Sequence, residues 1–600
     1  MTQSSSTAVR KLVPLYFGPR DGLFGVLNPA DGAAGRGVLI CAPLGYENVI
    51  YHRQLAILAR RIAAKGTPTL RFDWPGCGDS AGDDLDPELI PRSLASVQTA
   101  VETLRDRAGV EHVDIIGLRI GATLAASVVG RTEHAGAVAL WDPFATGTAY
   151  LRNLRAFERL ARKSKAWTKD DAYESAAGFR LSRETVAALE SLDLLQCDFG
   201  SPRRVFLGYR DGSAATKVAE YLAAHGHDVT TAELEGLREV ALGWAERPVP
   251  VSSFEAIEDW LGLPRLPAGE DFPVLTGGRE RFSGVQLENG VHEVPVLLSD
   301  GSPMLGFVSL PPTESPERSW VLFVPNRYAR RIGPNGLYRR WARSWAEAGL
   351  PSFRVDVNGT GDAGGPDGET DRDMYQPNCV DDVVRALDFL RTEFDGDRAA
   401  VVGLCSGGYQ GFHAALRDEM VKDVFLLNPQ MLLWTDLETS VTMATKIRGR
   451  LVRPRSWLRF LGNPVASSRF VLPLVRRVVV ADLRWRLKLG KTRAADATHG
   501  RPIDQWIRES IRRLGERGCR LHFVFSQDDA GIGYLTRYLG PEMQGLTDQP
   551  NVSFHVIEGA DHTFTSLDRQ IALHDLIATT LATHGYGRSA EVAPLVPSTA

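Results

Sequence analysis

The chain repeats itself once, and no other feature limits its fold as tightly. RFDWPGCGDS at 71–80 returns as RVDVNGTGDA at 354–363. IIGLRIGA at 115–122 returns as VVGLCSGG at 401–408, and VALWDP at 138–143 as VFLLNP at 424–429. The first pair is offset by 283 residues and the other two by 286. Solenoid repeats are far shorter, at about 20–50 residues. The 600 residues therefore read as two copies of one large fold. In the first copy GVLICAP, TPTLRFD and VDIIG read as strands, separated by the helical stretches YHRQLAILARRIAAKG and VQTAVETLRDRAG. In the second copy the order is WVLFVP, LYRRWARSWAEAG, PSFRVD, CVDDVVRALDFLRTEF and AAVVG. Apolar strands without alternation, joined by helices, predict mostly parallel, doubly wound α/β sheets covered on both faces. The expected limits are 11–265 and 266–588, each unit with a lid insertion. A Pro- and Gly-flanked junction lies near 248–272, and 589–600 reads as a flexible tail.

Gly403-Leu404-Cys405-Ser406-Gly407 sits between the strand-like AAVV and the helical YQGFHAALRDEM. A nucleophile flanked by small residues at a strand-to-helix turn is the pattern of a nucleophile elbow. The helix N-terminus there favours a thiolate and offers N–H groups to an oxyanion. Cys405 has glycine at both flanking positions, whereas a Ser406 register would put Leu404 at one of them, so Cys405 is preferred. A triad then needs an acid and a histidine in that chain order. Asp529 follows the strand-like LHFVF, and His562 lies in the turn EGADHTF after VSFHVI. Asp528 stays an alternative acid. His562 would accept the Cys405 proton and Asp529 would fix the imidazole tautomer. The Ser406 N–H and an N–H from the Pro325-Asn326-Arg327 turn would hold the oxyanion.

The first copy lacks this chemistry. Its elbow centre is Arg119, which stays protonated and cannot act as a nucleophile. Aligning LEGLREV with IEGADHT puts Glu239 where His562 stands, while Asp211 keeps the acid position. Arg119 and Glu239 are expected to neutralise each other in a silent half; the rival reading is an Arg119 that binds a carboxylate or phosphate.

At these residues the chain resembles the α/β-hydrolase superfamily, twice over. FDWPGCGDS and GLRIGA resemble the exosortase-system-associated hydrolases and their S33-type relatives, and the second half resembles the same broad group with Cys in the elbow. The resemblance implies an eight-stranded fold and the Cys405, Asp529 and His562 roles. Cys elbows occur in that superfamily in dienelactone hydrolases and in polyhydroxyalkanoate synthases, which move acyl groups between thioesters.

Charge is balanced overall at −4, which gives no case for nucleic-acid binding. It is not balanced locally. Residues 446–493 carry 14 Lys/Arg and one acid, a net of +13, and so leave −17 on the remainder. This stretch lies in the expected lid of the second half, about 430–502. It could dock an acidic acyl-carrier protein or a coenzyme A phosphate, touch an anionic membrane, or pack on the acidic remainder of the chain; membrane contact is the least favoured. Gly359-Thr360-Gly361-Asp362-Ala363-Gly364 matches GxGxxG, but no helix opens after it, so no dinucleotide is expected. Asp362, Asp367, Glu369, Asp371 and Asp373 read as a solvated loop. Six scattered cysteines without a CxxC pair suggest reduced thiols in a cytoplasmic protein. The N-terminus lacks an apolar signal core, and no cofactor or metal is expected. The expectation is acyl transfer through a Cys405 thioester, as acyltransferase or thioesterase. The alternatives are simple ester or lactone hydrolysis and a non-catalytic scaffold.

Overall fold

The structure is a computed structural model. It describes residues 12–587 apart from 31–34, 162–172, 211, 237–248, 266–277, 314–317, 327, 365–373, 435–501, 542, 544, 545 and 547. The flexible-tail expectation for 589–600 lies outside these residues, as does nearly all of the expected second lid.

The first sheet is built from β1 (Val13–Phe17), β2 (Leu23–Asn28), β3 (Arg36–Cys41), β4 (Thr69–Phe72), β5 (His112–Leu118), β6 (Ala135–Trp141), β9 (Arg204–Tyr209) and β10 (Asp228–Glu233). Its order is β1-β2-β4-β3-β5-β6-β9-β10. β1 and β2 run antiparallel, and the strands from β4 onward are parallel. Helices α1 (Gly45–Ala64), α2 (Leu89–Ala108), α3 (Ile120–Ala126), α6 (Gly212–Ala224) and α7 (Val251–Trp260) accompany this sheet. The insertion after β6 carries α4 (Gly147–Ala161), the hairpin β7 (Tyr173–Ala176) and β8 (Phe179–Ser182), and α5 (Arg183–Glu190).

The second sheet adds β11 (Arg279–Arg281) and β12 (Val285–Gln286) at one edge. It continues with β13 (His292–Leu298), β14 (Met304–Leu310), β15 (Ser319–Val324), β16 (Ser352–Val355), β17 (Arg398–Leu404), β18 (Val421–Leu427), β19 (Arg520–Ser526) and β20 (Val552–Ile557). The order β13-β14-β16-β15-β17-β18-β19-β20 repeats the first sheet strand for strand. Its helices are α8 (Leu337–Glu347), α9 (Pro377–Phe394), α10 (Ser406–Arg417), α11 (Ile503–Glu516), α12 (Ala530–Leu539) and α13 (Leu567–Thr583). The unbroken apolar strands follow from burial on both faces. Leu39 and Cys41 enter one core layer while Val38 and Ile40 enter the other, and Leu322 and Val324 are divided in the same way from Val321 and Phe323.

The two halves meet along a mixed apolar and ionic seam. Tyr16, Phe24 and Val26 of the first half share one core with Leu297, Leu305 and Phe307 of the second. The Phe24 and Phe307 rings lie 4.8 Å apart, edge to face. Beside them the repeat exchanges its charges. Arg71 pairs with Asp362, and Arg354, its counterpart, places Nη1 2.7 Å from Asp79, the counterpart of Asp362. Arg331 bridges the two halves, with Nη2 2.8 Å from Asp79 and Nη1 2.9 Å from Asp362. Residue i meeting j while the copy of j meets the copy of i is the geometry of an isologous dimer, here within one chain. Asp362 is therefore buried, not part of a solvated loop. Its sequence neighbourhood is acidic, but Arg71 and His52, about 300 residues away in sequence, both contact its carboxylate.

The GxGxxG stretch serves the same seam. At Gly361, with φ 47°, a Cβ would lie 2.2 Å from Asp356 Oδ2; at Gly78, with φ 53°, it would lie 2.1 Å from Asp73 Cγ. Both glycines let the backbone wrap onto a carboxylate of their own half. Burial works against the charge on Asp79 and Asp362, yet both are held below the usual carboxylate range. Arg331, Arg354 and Arg330 do this for Asp79; Arg71, His52 and Arg331 do it for Asp362. Burial and then Arg330 push His52 down to about 4, so it is neutral at pH 7.

Breaking one partner of a buried ion pair costs about 3–5 kcal/mol, whereas an exposed pair is worth about 0–1 kcal/mol. Arg331→Met should therefore lower the denaturation midpoint sharply, while Arg92→Met, which removes the exposed pair with Asp86, should leave it nearly unchanged. Equal midpoints in chemical denaturation would contradict the seam's structural role.

Candidate active site

Cys405 occupies the turn between β17 and α10 with φ 56° and ψ −114°. A non-glycine residue in that region is strained and persists only where its surroundings fix it. Here the Cys405 N–H donates to Leu427 O at 2.8 Å, and the Leu404 N–H donates to the Tyr338 hydroxyl at 3.0 Å. The turn admits only glycine at its flanks. A Cβ on Gly403 would lie 2.2 Å from the Gly407 carbonyl carbon, and one on Gly407 would lie 2.4 Å from Val324 O. Cys405 is partly exposed, whereas Ser406 is buried at the start of α10 and its hydroxyl has no hydrogen-bond partner among the described residues. The strained elbow position is thus held by Cys405 and not by Ser406.

Asp529 and His562 converge on this turn from the ends of β19 and β20. His562 Nδ1 lies 2.7 Å from Asp529 Oδ2, and the imidazole lies near enough to Cys405 for that residue to act on its titration. Asp528, the alternative acid, is exposed with φ 61°, and Asp529 makes the contact. Asp529 Oδ1 caps α12 by accepting from the Gly531 N–H, and the same oxygen accepts a 2.8 Å bond from Gln430 Nε2. Burial disfavours the imidazolium, but Asp529, and then Cys405, raise His562 to about 10. Asp529 is shifted the opposite way: burial raises it, and His562 and the Gly531 N–H bring it below its ordinary value. The arrangement is a thiol, an imidazole and a buried carboxylate in series, with one edge of the imidazole still 32% exposed.

The first half has the same elbow with different contents. Arg119 has φ 57° and ψ −128°, and its N–H donates to Trp141 O at 2.9 Å. Its guanidinium is buried, with Nε 2.8 Å from Glu47 Oε1 and Nη1 2.7 Å from Asp142 Oδ2, and it lies 4.0 Å over the Phe144 ring. Arg210 also pairs with Asp142. Glu47 and Asp142 therefore supply carboxylates to Arg119. Glu239 and Asp211 lie outside the described residues. Both paired ends of Arg119 face carboxylates, which also weighs against the free anion-binding arginine of the rival reading.

Residues 321–573 match the model of the alpha/beta hydrolase family. This stretch lies within the second half of the chain. Among curated proteins none matches the chain. Similar solved structures include the dienelactone hydrolase from Anabaena variabilis, 14% identical, covering 50% of this chain and 100% of its own, with TM-score 0.30. An esterase from Pyrococcus furiosus is 13% identical, covers 52% of this chain and 99% of its own, and has TM-score 0.33. Proline iminopeptidase from Mycobacterium smegmatis is 15% identical, covers 48% and 96%, and has TM-score 0.28.

Around the hydrolase site, Ser406 offers its N–H at the start of α10, and buried Asn326 lies in the turn after β15. Arg327 and the basic stretch 446–493 lie outside the described residues. Several residues at the site carry no sequence motif. Asn428 Nδ2 donates to His562 O at 2.8 Å, and Asn428 Oδ1 accepts from Ser526 N–H. Asp561 accepts from Thr565 N–H and Oγ1 and so ties the His562 loop. The Tyr375 hydroxyl lies 3.9 Å from Cys405 Sγ, and its ring stacks on Trp434 at 4.8 Å. Asn428 alone had a signal, since the repeat aligns LNP with WDP.

Away from this site, Asp423, His522 and His584 bring three potential metal ligands within 4.8 Å. Both imidazoles already bond one oxygen of Asp423, and Arg520 pairs with the carboxylate through both its oxygens, so its charge is accounted for. Among the described residues no helix is long and apolar enough to cross a membrane.

His562 is raised above its ordinary 6.5, so its pairing stabilises fully below about pH 6.5 and is lost as pH rises through about 10. Asp529→Asn should bring the His562 titration, followed by imidazole NMR, down from about 10 toward 6.5 and flatten stability across that window. An unchanged titration would contradict the pairing.

Proposed function

We propose that the second half is an acyl-transfer enzyme that works through a thioester on Cys405, with acyl-CoA or acyl-carrier thioesters as donors. The observation that carries this reading is the Asp529–His562 pair brought beside a thiol held in a strained elbow. The Cys405 proton passes to His562 before the attack, because Asp529 stabilises the imidazolium, and the sulfur then attacks the donor carbonyl carbon. The tetrahedral oxyanion is stabilised by the Ser406 N–H and the 325–327 turn. Collapse breaks the bond to the donor thiolate, which leaves with the proton from His562. An acceptor then gives its proton to His562 and attacks the thioester, and the Cys405 thiol is restored. With water as acceptor the enzyme is a thioesterase; with an alcohol or amine it is an acyltransferase. A thioester intermediate is close in free energy to the donor thioester, which suits reversible exchange. On this reading residues 11–265 form a half without its own turnover, with Arg119 in place of a nucleophile, and 266–588 the working half.

Incubation with a panel of acyl-CoA and carrier-protein thioesters, followed by intact mass, should give one acyl adduct on the wild type and none on Cys405→Ala. His562→Gln should slow adduct formation by about 10²-fold or more. Decay of the adduct in water alone, or only with an added alcohol or amine, separates hydrolysis from transfer. Equal turnover by Cys405→Ala and wild type would overturn the reading.

A further inference from the structure

The loop that leaves β15 starts against the Cys405 elbow and runs into the other half of the chain. At its start, Gly407 of α10 lies so close to Val324 O that a Cβ would not fit. Asn326 Oδ1 then accepts from the Tyr328 and Ala329 N–H groups, at 3.1 and 2.8 Å, and winds a tight turn. Arg330 and Arg331 follow, both fully enclosed. Arg330 Nη2 donates to Asp73 Oδ1 at 2.7 Å and to Asn48 Oδ1 at 3.3 Å, and its Nη1 lies 3.7 Å from Asp79. All three acceptors belong to the first half. At the far end of the loop, Asn335 Nδ2 donates to Thr563 O, the residue after His562. There the first half touches again. The tip of its β7–β8 hairpin, Gly178, has φ 88°, accepts from Gln570 Nε2 at 3.2 Å, and lies so close to Asn335 that a Cβ would fall 2.7 Å from its Cγ.

An oxyanion donor acts only if it is held in place before the reaction. Losing one costs about 10²–10³ in rate, and a displacement of about 1 Å can cost about 10²-fold. We propose that the first half is a built-in positioning partner of the Cys405 site, and that Asp73 acts through Arg330 to hold the loop that presents the second oxyanion donor. Asp73 and Arg330 are positioning residues, since neither reaches the reacting atoms. The proposal rests on the acyl-transfer reading.

The test uses two reactions of the same sulfur. Acylation by a thioester passes through an oxyanion. Alkylation by iodoacetamide forms a carbon–sulfur bond and expels iodide, with no oxyanion formed. Asp73→Asn, Arg330→Lys, Arg330→Met and the double variant Asp73→Asn/Arg330→Met are made in the full chain. Each is assayed for acyl-adduct formation from an acyl-CoA, for alkylation rate against pH, and for thermal midpoint. The expected result is acylation about 10–100-fold slower in Asp73→Asn and Arg330→Met, with partial recovery in Arg330→Lys and alkylation unchanged at every pH. The double variant should regain thermal stability, because no lone buried charge remains, and yet stay slow in acylation. Acylation within about twofold of wild type in the folded variants would overturn the proposal, as would acylation and alkylation falling by one common factor. A wild type that alkylates but takes no acyl group from any thioester would instead overturn the acyl-transfer reading itself, a result reached without the variants.

Discussion

Buried arginines cross between the two halves and end on carboxylates of the opposite sheet, and this exchange sets the arrangement of the molecule. Arg71 reaches Asp362, Arg354 reaches Asp79, and Arg331 holds both carboxylates at once. Such charges are expensive to desolvate and more expensive to leave alone, so the seam tolerates one relative placement of the halves and penalises the rest. The apolar contact of Phe24 with Phe307 alone would be far less selective, because hydrophobic burial has no direction. Since the same residues of each copy make the exchange, the two halves, of equal strand order, meet across an approximate two-fold relation. The loop after β15, which borders the Cys405 elbow, is drawn into this seam by Arg330 and Arg331.

Within that common frame the two elbows have diverged together with their surroundings. Both Arg119 and Cys405 hold the same strained backbone, with the same N–H bond to the neighbouring strand. Where the elbow carries Arg119, the strand-end position carries Asp142, which neutralises it. Where the elbow carries Cys405, that position is Asn428, an uncharged amide that steadies the His562 loop and the end of β19. A carboxylate at 428 would add a second negative group near His562; an amide at 142 would leave Arg119 and Arg210 short of a partner. The difference between the Arg119 elbow and the Cys405 elbow is therefore distributed over the site and does not reside in one side chain.

Much of this was legible in the sequence because it is local. The elbow is a five-residue pattern, the apolar strands follow from burial on both faces, and Asp529 and His562 sit after strands in the order the pattern requires. The seam was not legible, because burial there is created by residues about 300 positions away. Asp362 stands in an acidic stretch and reads as solvated until Arg71 and His52 are brought against it. Arg330 and Arg331 belong to no motif, and only the folded chain brings them against Asp73, Asp79 and Asp362. Glu47 on α1 and Asp142 after β6, which pair with Arg119, carry no pattern that the alignment of the two copies could have pointed to as its partners. Gln430 and Tyr375 carry no pattern at all, and only the folded chain brings them to Asp529 and Cys405.

The central claim is that one of the two elbows, and only that one, forms a covalent acyl intermediate. Its most direct measurement is the pre-steady-state release of donor thiol on rapid mixing of the full chain with an acyl-CoA. The account predicts a burst of one thiol per chain, lost in Cys405→Ala and kept in Arg119→Ala. A burst that survives Cys405→Ala, or thiol release by wild type with no involvement of Cys405, would contradict it.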